Sequence, residues 1–170
     1  MSDPPELPDP HELYERAQTD PDVPLLLADF VAPTPPRGEF RTATRTASTG
    51  LPPLEIAVRA PALRILPLEK TARNPYERFV FIGRASTCDV ILRDVSVSKS
   101  HAVFERERAE WFVRDNRSHN GTYVGERRLE AGERARIASG DALRFGACAV
   151  YFVMPKDLRR ILESMGLLNE

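Results

Sequence analysis

Three short polar clusters carry the residue types able to do chemistry: Gly83-Arg84, then Ser98-Lys99-Ser100-His101, then Ser118-His119-Asn120-Gly121-Thr122. Together they offer a guanidinium, an ammonium, hydroxyls, an amide and imidazoles. A phosphoryl group has three acceptor oxygens and nearly two negative charges at neutral pH, and this donor set suits it better than it suits any reaction. A Ser-His hydrolase would need a Gly-x-Ser-x-Gly elbow and a triad acid, and the chain provides neither. A zinc site built from Cys88, His101, His119 and Cys148 would need four scattered ligands without one local pair. The clusters therefore point to anion recognition, with no metal, no cofactor and no catalysis.

Such clusters need a scaffold that gathers loops. From residue 62 onward the sequence breaks into short, alternating apolar runs separated by turn residues, the pattern of an all-β sandwich. Strands are expected at 62–68, 78–82, 89–92, 102–107, 110–115, 122–124, 134–137, 142–144 and 147–153. All three clusters then fall at strand ends, and a sandwich collects its loops at two ends. Residues 155–166 switch to helical spacing, with Leu158, Ile161, Leu162 and Met165 on one stripe and Gly166 placed to stop the helix. This stripe is expected to pack on its own domain.

Upstream, 14 of the 15 prolines lie in residues 1–75. Proline removes backbone donors and restricts its predecessor, so residues 1–61 are expected to be a largely extended or disordered tail. One short helix is expected near 9–18, where Asp9 can cap, Pro10 fits the first turn and Glu12 completes a capping box. Within the polar stretch 41–49, Thr42, Thr44, Thr46 and Thr49 sit among Arg41 and Arg45 and make candidate phosphorylation sites. The expected organisation is a tail over 1–61, a β-domain over 62–154 and a C-terminal amphipathic helix over 155–170.

Charge narrows the partners. With 24 Lys plus Arg against 25 Asp plus Glu the net charge is −1, which gives no global attraction to nucleic acid or to an anionic membrane. No apolar run approaches the roughly 20 residues of a membrane helix. The prolines and acids of residues 1–9 do not form a signal peptide, so a cytoplasmic protein is expected. Two cysteines are too few for a disulfide framework, and both are expected to be buried thiols.

In order and spacing the clusters resemble the forkhead-associated (FHA) domain, whose pattern is Gly-Arg, then Ser-x-x-His, then Ser-x-Asn-Gly-Thr. The resemblance covers residues 62–154 and implies an eleven-stranded β-sandwich that binds phosphothreonine peptides. By that resemblance Arg84 pairs with the phosphate, Ser98 donates to it, Lys99 adds charge at the rim and Asn120 grips the peptide backbone. His119 stands where the family more often has a small polar residue and joins this binding set. Gly83, His101, Gly121 and Thr122 are implied to support the loops. A second departure is Val124-Gly125-Glu126-Arg127-Arg128, where the family commonly turns at Asn-Gly. The implied function is an adaptor or regulator in Ser/Thr kinase signalling. Its partners would be a phosphothreonine protein, such as a kinase or its substrate, or the chain's own phosphorylated tail. The alternative is an FHA-like structural domain that binds partners without phosphate.

Overall fold

The computed structural model of the chain describes residues 9, 12, 14, 15, 20–29, 51–60 and 62–168. Its strands are β1 (Leu25–Ala28), β2 (Arg64–Pro67), β3 (Phe79–Gly83), β4 (Val90–Ile91), β5 (Ala102–Glu107) and β6 (Glu110–Asp115). They continue with β7 (Thr122–Val124), β8 (Arg127–Arg128), β9 (Arg134–Ile137), β10 (Ala142–Phe145) and β11 (Cys148–Val153). Among the described residues, two helices with complete bounds accompany them, α1 (Leu54–Ala57) and α2 (Pro155–Ser164). The strands form a six-stranded sheet in the order β2-β1-β11-β10-β7-β8 and a five-stranded sheet in the order β4-β3-β5-β6-β9. The fold is the FHA-type β-sandwich that the sequence implies.

Alternation decides which side chains meet between the sheets. On β5, Ala102 and Phe104 point inward and are fully buried, while Glu105 turns to the other face. Phe104 meets Phe145 of β10 edge to face, with ring centroids 6.0 Å apart, and Ile82, Val113, Leu143, Val150 and Phe152 fill the space around them. The core is thus largely aliphatic, with a few phenylalanines at its centre. Every strand expected between 62 and 153 forms, its ends shifted by no more than two residues. The β7–β8 hairpin pairs Val124 with Arg127 across a two-residue turn, and Gly125 takes the positive φ of 59° that primed hairpin turns demand.

One strand falls where the sequence reading places a tail. Leu25-Leu26-Leu27-Ala28 form β1, inserted between β2 and β11, and all four residues are buried. Leu26 and Ala28 face the core between the sheets, whereas Leu25 and Leu27 face a second apolar layer on the outer side of the six-stranded sheet. A strand covered on both faces has no alternation, so this unbroken apolar run carries no periodic signal. Of the helix expected near 9–18, residues 12, 14 and 15 are helical and Tyr14 is buried in that second layer. The rest of that segment lies outside the described residues.

The second layer fixes α2. Pro155, Leu158 and Leu162 are its buried residues, packed with Leu25, Leu27, Val58, Tyr151 and Val153. Burying each leucine contributes about 1.5–3 kcal/mol, enough to dock a helix of three turns. The helix therefore packs on its own domain, as its stripe suggests. It covers the β1 and β11 side of the sheet, while among the described residues Arg128 of β8 and Arg144 of β10 stay exposed. Among the described residues no helix is long and apolar enough to cross a membrane.

Candidate functional site

Gly83 closes β3 where the chain passes close to the loop before β5. An added Cβ there would lie 2.3 Å from the Lys99 carbonyl oxygen, so only glycine fits. The close approach lets the backbone of the two segments bond: Arg84 N donates to Ser98 O at 3.0 Å and Ala85 N to Lys99 O at 3.1 Å. Arg84 is thereby held beside Ser98 and Lys99. Its side chain is exposed, and Nε donates to Val97 O at 3.1 Å. The two terminal nitrogens have no hydrogen-bond partner among the described residues and are free for an incoming anion.

His101 ties this loop to the next one. It is fully buried, its Nδ1 accepts from Ser98 N at 3.0 Å, and its Nε2 stands 2.9 Å from Gly121 O. A backbone N–H can only donate, so the proton must sit on Nε2 and be given to the Gly121 carbonyl. Burial lowers the affinity of this ring for a second proton, outweighing the Gly121 carbonyl and Asp115, which favour the charged form. The sign follows: His101 takes up protons more readily unfolded than folded, so it holds stability above about pH 6.5 that is lost as the pH falls below that value. Melting temperatures measured from pH 7.5 to 5 should fall in the native chain and fall less in His101→Gln. An equal fall in both would show that the buried ring is not the titrating group.

The third cluster is organised by a residue the sequence reading did not single out. Asp115, at the end of β6, is nearly fully buried and accepts from Ser118 Oγ at 2.5 Å, Ser118 N at 3.2 Å and Thr122 Oγ1 at 2.7 Å. Ser118 Oγ in turn accepts from Gly121 N at 3.0 Å. The segment from 115 to 122 is thus closed on one carboxylate, with Gly121 at φ 88° making the turn. This closure presents His119 and Asn120 outward. His119 N donates to Ser98 Oγ at 3.0 Å, which leaves the Ser98 hydroxyl proton free to be donated elsewhere. Asn120 Nδ2 donates to Ser96 O at 2.8 Å, one carbonyl along from the Val97 oxygen held by Arg84.

Ser96 and Asp94 brace the same loop and were also not legible as site residues. Asp94 Oδ1 accepts from Ser96 N at 2.8 Å and from Ser96 Oγ at 2.6 Å, and Ala147 N donates to Ser96 Oγ at 2.8 Å. The Ser96 hydroxyl and N–H hold the Asp94 carboxyl below its usual range. Burial, followed by the nearby Asp94 charge, pushes the Cys148 thiol up to about 11, so it stays protonated. Cys88 is buried as expected, and Cys148 is half-buried. In sequence the one mark of Asp115 is its place three residues before Ser118, at the end of an alternating strand. Asp-x-Ser of 94–96 reads in sequence as an ordinary turn.

The structure therefore gathers Arg84, Ser98, Lys99, His119 and Asn120 at one end of the sandwich, with Gly83, His101, Gly121 and Thr122 behind them. Thr42, Thr44, Thr46 and Thr49 lie outside the described residues. The assembled surface has exposed cationic, hydroxyl and amide donors held on a backbone that is hydrogen-bonded from beneath.

Comparison with known proteins identifies the family. The sequence model of the FHA domain matches residues 80–146, a span that contains every one of these loop residues. The oxoglutarate dehydrogenase inhibitor of Corynebacterium glutamicum is 33% identical over 121 residues, covering 68% of this chain and 78% of that protein. The glycogen accumulation regulator GarA of Mycolicibacterium smegmatis is 38% identical over 71 residues, covering 42% of this chain and 43% of that protein. Among solved structures, Mycobacterium tuberculosis EmbR in complex with a low-affinity phosphopeptide is 26% identical, covers 54% of this chain and 22% of that one, and has a TM-score of 0.46.

Proposed function

This chain belongs to the FHA domain family, and from that premise we propose that it is a phosphothreonine-dependent peptide-binding module, an adaptor or regulator in Ser/Thr kinase signalling. One observation carries the reading. Arg84, Ser98 and Asn120 come from three separate loops, yet Arg84 and Asn120 hold adjacent carbonyls of the loop that bears Ser98. In the proposed complex the Arg84 guanidinium pairs with the phosphate, the free Ser98 proton is donated to it, and Lys99 adds charge at the rim. Asn120 has its carbonyl oxygen left for the peptide backbone, and His119 faces the same opening. Gly83, His101, Gly121 and Thr122 act by positioning these groups.

The module acts by binding rather than by catalysis, a reading supported by His101, whose two ring nitrogens are both engaged by backbone groups. We place the working domain from β1 through α2, because the strand at 25–28 and the terminal helix complete one sheet and its cover. We place it in the cytoplasm, where Ser/Thr kinases and their substrates supply phosphothreonine partners.

Phosphothreonine should bind better than phosphoserine. Its extra methyl can be buried for about 0.8 kcal/mol, close to fourfold in affinity, and β-branching leaves less side-chain freedom to lose. Calorimetry with a matched peptide pair checks this. Equal affinities would mean that the loops around Ser98 and Asn120 hold no place for the methyl.

A ligand in cis is proposed as well. Residues 30–50, which join β1 to the segment before α1, contain Thr42, Thr44, Thr46 and Thr49. Tethering raises their effective concentration to the order of millimolar, enough to displace dilute peptides. Phosphorylating the intact chain with a kinase that prefers basic residues should then weaken binding of an added phosphothreonine peptide at least tenfold. Unchanged affinity would remove the cis ligand from the account.

A further inference from the structure

The three loops lie where β3 ends, β5 begins, β6 ends and β7 begins. The start of β3, the end of β5 and the start of β6 therefore meet at the opposite end of the sandwich, across from the segment before β1 and the exit of β2. The two sheets do not close on each other there, and a cavity of about 490 Å³ opens between them. Leu68, Val80 and Phe104, all buried in the main core, form its apolar base. Trp111, the only tryptophan of the chain, is half-buried beside them, its ring 6.3 Å from that of Phe152 on the core side.

Charges of opposite sign stand on the two lips. On the five-stranded sheet, Arg106 shares the inner face of β5 with Phe104 and is the cross-strand partner of Trp111, and Arg78 enters the cavity just before β3. Arg106 Nε donates to Arg108 O at 3.0 Å, and neither guanidinium has an ion pair among the described residues, although Arg114, Arg127, Arg134 and Arg136 each do. The lip of the six-stranded sheet carries Asp20, Asp22 and Glu69. Leu68 N donates to Pro24 O at 2.8 Å, which holds these two segments side by side. None of the three carboxylates pairs with a cation among the described residues. Lys70 cannot neutralise them, because its ammonium is spent on Asp89 Oδ1 at 3.2 Å, Thr71 O at 2.6 Å and Asn74 O at 2.8 Å. Glu77 adds a further acid next to Arg78.

We propose that this cavity binds a free α-amino acid with a large apolar side chain. Its carboxylate pairs with Arg106 and Arg78, its ammonium with the acids of the facing lip, and its side chain lies against Trp111 over the apolar base. The volume falls within the roughly 300–1,000 Å³ of small-molecule sites, and an apolar base with a few convergent polar groups is their usual construction. A ligand of one charge would satisfy one lip and leave the other unpaired, whereas a zwitterion satisfies both. Guanidiniums take a carboxylate in two-point fashion, which sets the orientation of the ligand. The base offers no partner to a polar side chain, whose burial would go uncompensated. This site lies at the far end of the sandwich from Arg84 and does not depend on phosphothreonine recognition.

Trp111 supplies the readout, since leucine and phenylalanine are transparent where tryptophan alone is excited. Titrating the full chain with L-leucine and with L-phenylalanine should give a saturable change in Trp111 emission, and amide NMR should place the shifts at Leu68, Arg78, Arg106 and Trp111. Phenethylamine, which has no carboxylate, 3-phenylpropanoate, which has no ammonium, and glycine, which has no side chain, should each bind at least about fivefold more weakly than phenylalanine. Arg106→Met and the double variant Asp22→Asn with Glu69→Gln should weaken phenylalanine binding by at least about fivefold, with thermal melts showing both folded. Neither variant should alter the affinity of a phosphothreonine peptide. No saturable response in emission or NMR up to about 10 mM of either amino acid, too weak for a dozen-atom ligand seated in a formed site, overturns the proposal. So does equal binding of phenylalanine and its two singly charged analogues, or undiminished binding in the folded variants.

Discussion

Replacing Arg84 by alanine should reduce phosphothreonine-peptide affinity by at least about thirtyfold and leave the fold intact. Truncating one member of a hydrogen-bonded charge pair costs about 2–5 kcal/mol, the lower figure being that thirtyfold. The loss falls on binding because Arg84 is exposed, and its one side-chain bond among the described residues is the Nε contact to Val97 O. Its backbone N–H, which holds the loop to Ser98 O, remains in the variant. Arg84→Lys keeps the charge and loses the fork, so it should recover only part of the affinity. Calorimetry paired with a thermal melt checks both variants. A change below about threefold in a folded Arg84→Ala chain would place the phosphate elsewhere.

Removing residues 1–61 should abolish folding. A chain cut at that point matches the domain limits suggested by composition, and it lacks β1. Without that strand β2 loses its sheet partner, β11 loses the ladder from Leu25↔Val153 to Leu27↔Tyr151, and α2 loses the leucines it packs on. Three fully buried leucines contribute about 1.5–3 kcal/mol each, a sum comparable with the whole stability of about 5–15 kcal/mol typical of a domain. Far-UV circular dichroism and an amide NMR spectrum of residues 62–170 should report an unfolded or aggregated chain. A well-dispersed spectrum would contradict the placement of β1 inside the sheet.

These two expectations differ in how visible their basis was in the sequence. Arg84 was legible because chemistry leaves compositional marks: three clusters of polar donors at the ends of alternating strands have few uses other than anion recognition. The alternation of β5 and β6 was equally plain, since one face meets water and the other does not. Leu25–Ala28 was illegible for the converse reason. Both of its faces are buried, so it lacks alternation, and it stands alone among prolines. Its partners are β2 and β11, and the Leu25–Val153 pair is far apart in sequence. Arg127–Arg128 likewise has no apolar residue to announce a strand, and it forms because the Gly125 turn brings it onto β7. Asp115 was hidden differently, as an acid at a strand end is normally solvated. Only the closed loop that follows brings two hydroxyls and an N–H onto it.

The same comparison explains why the Asp89 carboxylate had no role in the sequence reading. It is buried in the structure and accepts from Phe81 N at 2.8 Å, Thr71 N at 2.8 Å, Thr71 Oγ1 at 2.7 Å, Lys70 Nζ at 3.2 Å and Asn74 Nδ2. Burial alone would raise its proton affinity, but these donors together hold it below the usual carboxylate range. Asp89 fastens residues 70–74 to the edge of the five-stranded sheet. Such a staple is assembled from segments whose proximity exists only after folding.

The central claim is that three loops at one end of the sandwich recognise phosphothreonine. Its most direct test is an amide NMR titration of the nitrogen-15-labelled full chain with a degenerate phosphothreonine peptide library, against phosphoserine and unphosphorylated controls. Saturable shifts confined to the backbone of Arg84, Ser98, Lys99, His119 and Asn120, strongest with phosphothreonine and lacking without phosphate, are the predicted result. Shifts of equal size with the unphosphorylated library, or shifts that bypass these five residues, would contradict it.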